Sequence, residues 1–319
     1  MIHLPETMSE NIQLQNNVDL RQFTTFKIGG PADYFYLATD ITGLKNALQW
    51  AVQNKQKVLA LGGGSNLIFP DEGFRGLVIK LDFQKLEIKD DKVTVGAGVM
   101  LAHLIAETLK HGLIGLEFAA GIPGSVGGAI RGNAGTYGKD MSGIISTITY
   151  LIPASGEIKT CIGKDCNFAY RHSSFKENDY IIAEAELQLL KGDVAASQTI
   201  IDNWLLKRRT EHPTEPSAGC IFKNIKFEDV DIEKLKTKDL DLDKFAKYQK
   251  IPAAYLIDLL GLKGQTIGGA QISPKHGNYI INTGSATAKD VVTLISLIKQ
   301  QVRDTYGIQL QEEVQIVYN

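Results

Sequence analysis

The sequence predicts an α+β fold of two or three domains, and three observations carry that reading. Strand-like and helix-like segments are mixed without the regular βαβ alternation of a parallel sheet. The chain has 319 residues, more than the roughly 100–200 that one domain holds. Its composition, 44% hydrophobic and 22% charged, supplies a sizeable core and argues against global disorder. At the centre lies Gly121–Gly138, GIPGSVGGAIRGNAGTYG, with seven glycines in eighteen residues. Such a run suits a backbone that must come very close to a phosphate or a flat ring. A flexible linker is the alternative, but Ile122, Val126, Ala129 and Ile130 are more apolar than linkers usually are.

Whole classes of partner fall away on composition. A formal net charge of −2 offers nucleic acid no clustered basic surface. No apolar run approaches the roughly 18–20 residues of a membrane span. The start, MIHLPETMSENIQLQNN, lacks the basic and apolar regions of a secretory signal. Cys161, Cys166 and Cys220 are a sparse, odd set, which points to a reducing, cytoplasmic compartment. Their spacing and the scattered histidines match no zinc pattern, so no metal is expected.

In chain order, DYFYLA after Pro31 reads as a strand and Ile41–Gln53 has helical apolar spacing. Lys57–Leu61 is a strand running into Gly62, Gly63, Gly64, Ser65 and Asn66, which serves either a phosphate or a tight turn; no P-loop pattern is present. Leu77–Leu81, Leu86–Lys89 and Val93–Gly96 follow as strands, with Asp90-Asp91 as a hairpin turn. Gly96-Ala-Gly98 opens a helix over Met100–Lys110. Leu101 stands where a dinucleotide fingerprint has its third glycine, which favours a strand-turn-helix over a Rossmann site. Residues 112–138 read mostly as loop. Ile144–Ile152, Glu157–Cys161 and Tyr180–Leu190 are strands, and Val194 to about Thr210 is a helix ending in the basic cluster Lys207-Arg208-Arg209, which complements the helix dipole. His212-Pro213-Thr-Glu-Pro216 marks a boundary. Residues 226–250, charged and poor in apolar side chains, read as a surface excursion. Ala253–Leu260 is a short helix, Tyr279–Asn282 a strand, Ala288–Tyr306 an amphipathic helix capped by Thr287, and Val314–Val317 a last strand.

Three reactive positions stand out: Arg171 in a polar patch between strands, Cys220 in the small-residue turn SAGC, and Glu313 before the last strand. Each has a plainer reading, as a solvated arginine, a small buried hydrophobe or surface charge. Spacing alone does not join them.

Taken in order, FTTFKIGGPADY, LGGGSNLI, GIPGSVGGAIRGNAGTYG, YRHSSFK, PSAGCIFKN, LIDLLGLKG, IGGAQIS and EEV resemble the UDP-N-acetylenolpyruvoylglucosamine reductases, flavoenzymes of bacterial cell-wall precursor synthesis. The resemblance runs from about Phe23 to Val317. It implies a vanillyl-alcohol-oxidase-type FAD-binding domain in two lobes, residues 1–80 and 81–195, followed by a smaller α+β substrate domain, residues 196–319. The FAD-holding positions it implies are Gly62, Gly63, Gly64, Ser65, Asn66 and Leu67 in one loop. In the central loop they are Gly121, Pro123, Gly124, Ser125, Gly127, Gly128, Asn133 and Gly135. It carries Arg171 to a catalytic arginine, Glu313 to a catalytic glutamate and Cys220 to the position of a proton-donating serine. Asn224 and Lys263 match substrate-contacting positions. The short run from Phe175 to Tyr180 has no room for the substrate-capping loop of one branch, so the chain resembles the branch without it.

Two departures from the family pattern matter. Cysteine stands at 220 in place of serine; a thiol is the better acid, with a reference pKa of about 8.5. The ending Glu312-Glu313-Val314-Gln315 sets the glutamate register on Glu-Val alone, with Glu312 as the fallback. The implied reaction uses NADPH as reductant, FAD as carrier and a nucleotide-sugar enol ether as substrate. An FAD-dependent oxidase of a sugar or alcohol on the same fold is the alternative. A non-catalytic flavin-binding module would have no use for Arg171, Cys220 or Glu313.

Overall fold

The structure, a computed structural model, describes residues 12–238 and 240–319. The segment read for a targeting signal lies, through residue 11, outside the described residues. The chain divides into two compact units. Among the described residues, the first gathers 12–18, 32–63 and 74–205; the second gathers 19–31, 64–73, 206–238 and 240–319. A contiguous division near residue 195 therefore differs from what the contacts build. The reason is non-local backbone pairing within the second unit. The Gly30 N–H donates to the Pro70 carbonyl at 2.9 Å, and the Gln315 N–H to the Asn66 carbonyl at 3.1 Å. Leu67–Ile68 pairs in parallel with Gln315–Ile316.

In the first unit, Pro31–Ala38 and Val58–Leu61 flank Phe74–Leu81 in parallel, with Gln15–Asp19 at the edge. The helix Ile41–Gln53 makes the crossover. Its side chains Leu44, Ala47, Leu48 and Ala51 recur at helical spacing and are all buried, with Leu77 and Ile79 of the central strand in the same cluster. Asp40 starts the helix by accepting from the Gly43 N–H at 2.8 Å. A second, antiparallel sheet runs in the order Glu157–Ile162, Ile145–Ile152, Ile181–Gln188, Lys92–Gly96, Leu86–Lys89. Val93 and Val95 are buried while Lys92 and Thr94 are not, the period of two that a one-sided sheet demands. The Asp90-Asp91 turn closes its hairpin with Asp90 at φ +55°. Gly96 and Gly98 serve packing: a Cβ on Gly98 would stand 2.5 Å from the Phe83 nitrogen.

The glycine-rich stretch is not all loop. Val126–Arg131 is a short helix capped by Ser125. Two glycines in a helix cost about 1 kcal/mol each relative to alanine, so local propensity argues against it. Tertiary contacts decide otherwise. The Val126 and Gly127 N–H groups, without partners inside the helix, donate to the Val99 and Ala97 carbonyls at 2.8 and 2.9 Å. Val126, Ala129 and Ile130 are buried, and a Cβ on Gly127 would meet that of Ala97 at 2.7 Å.

The second unit holds a four-stranded sheet in the order Ser217–Cys220, Tyr279–Asn282, Ala270–Ile272, Thr266–Ile267. The helix Ala288–Tyr306 packs on it through Val291, Leu294, Ile295, Ile298 and Val302. Thr287 and Asp290 form a capping box at its start, and Gly307 ends it in the left-handed conformation at φ 74°. Residues 226–250 are less of an excursion than their composition suggests. Ile225–Lys226 pairs with Lys250–Ile251 and closes the segment, and Leu235, Leu240 and Leu242 are buried in the unit's core. No helix of the described residues is long and apolar enough to cross a membrane.

Candidate active site

In the first unit, the strand Val58–Leu61 delivers Gly62 and Gly63 against Gly124 and Ser125. A Cβ on Gly62 would stand 2.7 Å from Ser125 Oγ, and one on Gly63 2.5 Å from Gly124 Cα and 2.8 Å from the Ser125 nitrogen. At Gly63 the approach is backbone on backbone, so only glycine fits there. Lys80 reinforces it by donating its Nζ to the Gly62 carbonyl, and burial lowers the pKa of that amine. Gly128 differs. It is exposed, and a Cβ there would meet only Ser125 Oγ, at 3.7 Å. Gly121 and Pro123 are exposed as well. Paired glycine turns with an open glycine beside them fit a pyrophosphate and a flat ring, the parts FAD presents.

Two of the expected cofactor positions do structural work. Asn133 is buried, with φ +42°. Its Nδ2 donates to the Ala169 carbonyl at 3.0 Å and its Oδ1 accepts from the Ser142 N–H at 3.0 Å. Gly135 pairs with Asp140 in a small hairpin, and its carbonyl accepts from Arg171 Nη1 at 3.1 Å. These two contacts hold the turn that carries Arg171. Ala169 and His172 close that turn with reciprocal N–H to carbonyl bonds of 3.1 Å. Arg171 sits at its tip with φ +56°, a conformation costing about 1–3 kcal/mol that neighbours must hold. Its guanidinium stands 5.2 Å from the centre of the Tyr170 ring.

Cys220, Glu313 and Asn66 come together in the second unit. Cys220 ends the strand Ser217–Cys220 opposite Tyr279, after a register shift at Gly219, whose φ of +77° suits glycine. Buried Asn278 fixes the turn beyond it: its Oδ1 accepts from the Phe222 N–H at 2.9 Å and its Nδ2 donates to the Phe222 carbonyl at 2.8 Å. The Glu313 N–H donates to the Ile221 carbonyl at 2.7 Å, and the two segments pair through an antiparallel bridge between Phe222 and Glu312. Asn66 Nδ2 then donates to the Glu313 carbonyl at 3.1 Å. Gly64, with φ +65°, accepts from the Thr25 N–H at 3.1 Å and bends the chain toward Ser65 and Asn66. Leu67 follows in the strand paired with Gln315. The loop end assigned to the cofactor thus also positions Glu313. Glu312 is engaged elsewhere, 2.7 Å from Lys299 Nζ.

Sequence reasoning missed the groups around Cys220. The Tyr279 hydroxyl is hydrogen-bonded to Cys220, and burial first, then the nearby sulfur, pushes its pKa well up. His212 Nδ1 lies 2.8 Å from the Tyr279 hydroxyl. The rings of His212, His276 and Tyr279 stand 5.0–5.2 Å apart. Burial, then the charges of His276, Arg208 and Lys207, pull His212 down to about 4. Burial likewise lowers His276, although Asp258 opposes it. Arg208, read from sequence as a helix-dipole partner, has its Nε buried without a hydrogen-bond acceptor. Such an orphan donor costs about 1–3 kcal/mol unless an anion meets it. Sixty-seven residues separate His212 from Tyr279, and no local pattern announces the pair. Of the two expected substrate positions, Lys263 is ion-paired with Asp258 at 2.8 Å. Asn224 Oδ1 accepts from the Ala253 N–H at 3.3 Å, at the start of the helix Ala253–Leu259.

These features define an FAD-binding oxidoreductase. The family model for an FAD binding domain matches residues 32–161, and that for the UDP-N-acetylenolpyruvoylglucosamine reductase C-terminal domain matches residues 211–317. The chain is 40% identical over 320 residues to a UDP-N-acetylenolpyruvoylglucosamine reductase of Anoxybacillus flavithermus, covering 98% of this chain and 97% of the relative. To that of Halalkalibacterium halodurans it is 38% identical, covering 96% and 94%. The crystal structure of a UDP-N-acetylenolpyruvylglucosamine reductase from Thermus caldophilus superposes with a TM-score of 0.77 at 30% identity, covering 96% of this chain and 99% of that one. The chain belongs to the UDP-N-acetylenolpyruvoylglucosamine reductase family.

Proposed function

We propose that Arg171, Cys220 and Glu313 carry out the family's reaction in this chain. That reaction is the NADPH-dependent reduction of the enolpyruvyl group of UDP-N-acetylglucosamine enolpyruvate to UDP-N-acetylmuramate. The observation that carries the proposal is the antiparallel pairing of the segments that hold Cys220 and Glu313, fixed by the 2.7 Å bond from the Glu313 N–H to the Ile221 carbonyl. Gly62, Gly63, Gly124, Ser125 and Gly128 would hold FAD. When bound there, FAD would supply hydride chemistry toward the substrate's vinyl terminus, with NADPH as its reductant.

Hydride addition at that terminus pushes an electron pair toward the substrate carboxylate. Arg171 answers the charge with its guanidinium, by charge-assisted hydrogen bonding. Glu313 helps when protonated or hydrogen-bonded, since a bare carboxylate would repel an enolate. Cys220 then breaks its S–H bond to protonate the adjacent carbon and is left as a thiolate. The orphan Nε of Arg208 supports a further anion contact to the substrate, with Asn224 and Lys263 as additional substrate positions. The product's place is cell-wall precursor synthesis, and with it cell shape and division. The compartment is the cytoplasm, where the reductant and nucleotide sugars are found.

The purified protein should be yellow. NADPH should bleach the flavin absorbance under anaerobic conditions, and the enolpyruvyl nucleotide should restore it. A flavin bleached by a sugar or alcohol and restored by oxygen, with no response to NADPH, would make the protein an oxidase instead.

The glutamate register is separable by mutation. Glu313→Gln should lower kcat by about 10²–10³-fold, in the range of losing one stabilising donor. Glu312→Gln should leave kcat within about threefold and cost at most about 1 kcal/mol, the worth of its partly exposed ion pair with Lys299. The reverse pattern would move the role to Glu312.

A further inference from the structure

We propose that Tyr279 and His212 form a proton relay that returns a proton to the Cys220 sulfur after it has protonated the substrate. This rests on the reading of Cys220 as the proton donor. The relay itself is drawn by geometry. Cys220 and Tyr279 are cross-strand partners, their side chains are hydrogen-bonded, and His212 Nδ1 meets the same hydroxyl at 2.8 Å. The three groups come from a strand end, the neighbouring strand and the segment after the helix Val194–Glu211.

The transfer balances in one direction. Cys220 S–H breaks as the substrate C–H forms. The Tyr279 O–H then breaks as a new S–H forms. His212 gives its Nδ1 proton to the phenolic oxygen while its Nε2 takes one from solvent. One proton enters, one leaves on the product, and the imidazole ends as its other tautomer. The surroundings suit this traffic. Burial first, then the His276 ring and Arg208 and Lys207 on the preceding helix, keep His212 neutral at pH 7, pulled down to about 4, so it passes protons by tautomer exchange and does not stand as an imidazolium. Around His276, Asp258 and its partner Lys263 act in opposite directions, and the Glu211 charge acts with Asp258. Burial disfavours a Tyr279 phenolate, so the phenol gives its proton to the thiolate only as His212 replaces it. A purely structural Tyr–His contact would also explain the packing, and the experiment is chosen to separate the two.

Tyr279→Phe keeps the ring and removes the hydroxyl. His212→Gln keeps a polar side chain but cannot exchange tautomers. Each should lower kcat about tenfold, with the loss larger at pH 9 than at pH 6 because solvent delivers protons more slowly as pH rises. Imidazole added to His212→Ala should restore most of the rate. A second readout is independent of turnover. Alkylation of Cys220 by iodoacetamide at pH 8, followed by the mass of its peptide, should slow about tenfold in Tyr279→Phe, because the thiolate has lost its donor. Unchanged pH profiles and an unchanged alkylation rate would overturn the relay. Full turnover by Cys220→Ala is a different result: it would remove the proton-donor reading on which the relay rests.

Discussion

Cys220→Ala is expected to lower steady-state turnover by about 10²–10⁴-fold, the usual contribution of a positioned general acid. The protein should still bind flavin and still be reduced by NADPH. Alanine leaves the carbon formed after hydride addition without its donor, and Tyr279 and His212 are poor substitutes. Burial holds Tyr279 as a weakly acidic phenol, and His212, held at about 4, carries no spare proton at pH 7. The fold should tolerate the change, because Cys220 is only half-buried at a strand end and Asn278 fixes the turn beyond it from the side. Cys220→Ser should keep activity, since a hydroxyl can accept from Tyr279 and donate to carbon in the same place. The measurement is steady-state NADPH oxidation with the enolpyruvyl nucleotide beside anaerobic flavin reduction. An alanine variant at full rate would strike Cys220 from the mechanism.

Gly63→Ala is expected to destabilise the protein by about 3 kcal/mol or more and to yield it without flavin. Overpacking usually costs about 1–3 kcal/mol when side chains can give way. Here the obstacles are backbone: Gly124 Cα at 2.5 Å, the Ser125 nitrogen at 2.8 Å and the Gly124 carbonyl carbon at 3.0 Å. Relief requires the two glycine turns to separate, which dismantles the surface read as the cofactor cradle. Gly128→Ala is the control. Its Cβ would meet nothing nearer than 3.7 Å, and alanine gains about 1 kcal/mol over glycine in a helix. Thermal stability of the flavin-free protein should hold or rise while flavin affinity falls. Normal flavin content in both variants would remove this face from the cofactor site.

Elements whose signals are local were legible. The helix Ala288–Tyr306 was readable, because its apolar stripe and the N-cap Thr287 just before it are local signals. The helix Val126–Arg131 was not readable, because its glycines argue against a helix and the bonds that form it come from Ala97 and Val99. The charged stretch 226–250 hid buried Leu235, Leu240 and Leu242 behind its surface side chains. The candidate site shows the same division. Arg171, Cys220 and Glu313 could be named from short motifs. Tyr279, His212 and the orphan Nε of Arg208 could not, because their meaning lies in contacts between distant segments.

The sequence by itself determined the α+β class, the glycine turns, the caps and periodic elements, and the family these motifs resemble. Each of these is written in residues close together in the chain. Tertiary structure decided which unit takes residues 19–31 and 64–73, that Asn66 supports Glu313, and that Cys220 stands at one end of a Tyr279–His212 chain. The physical reason is common to all three. Strand pairing and buried hydrogen bonds join groups far apart in sequence, and their partners are chosen by how the whole chain packs.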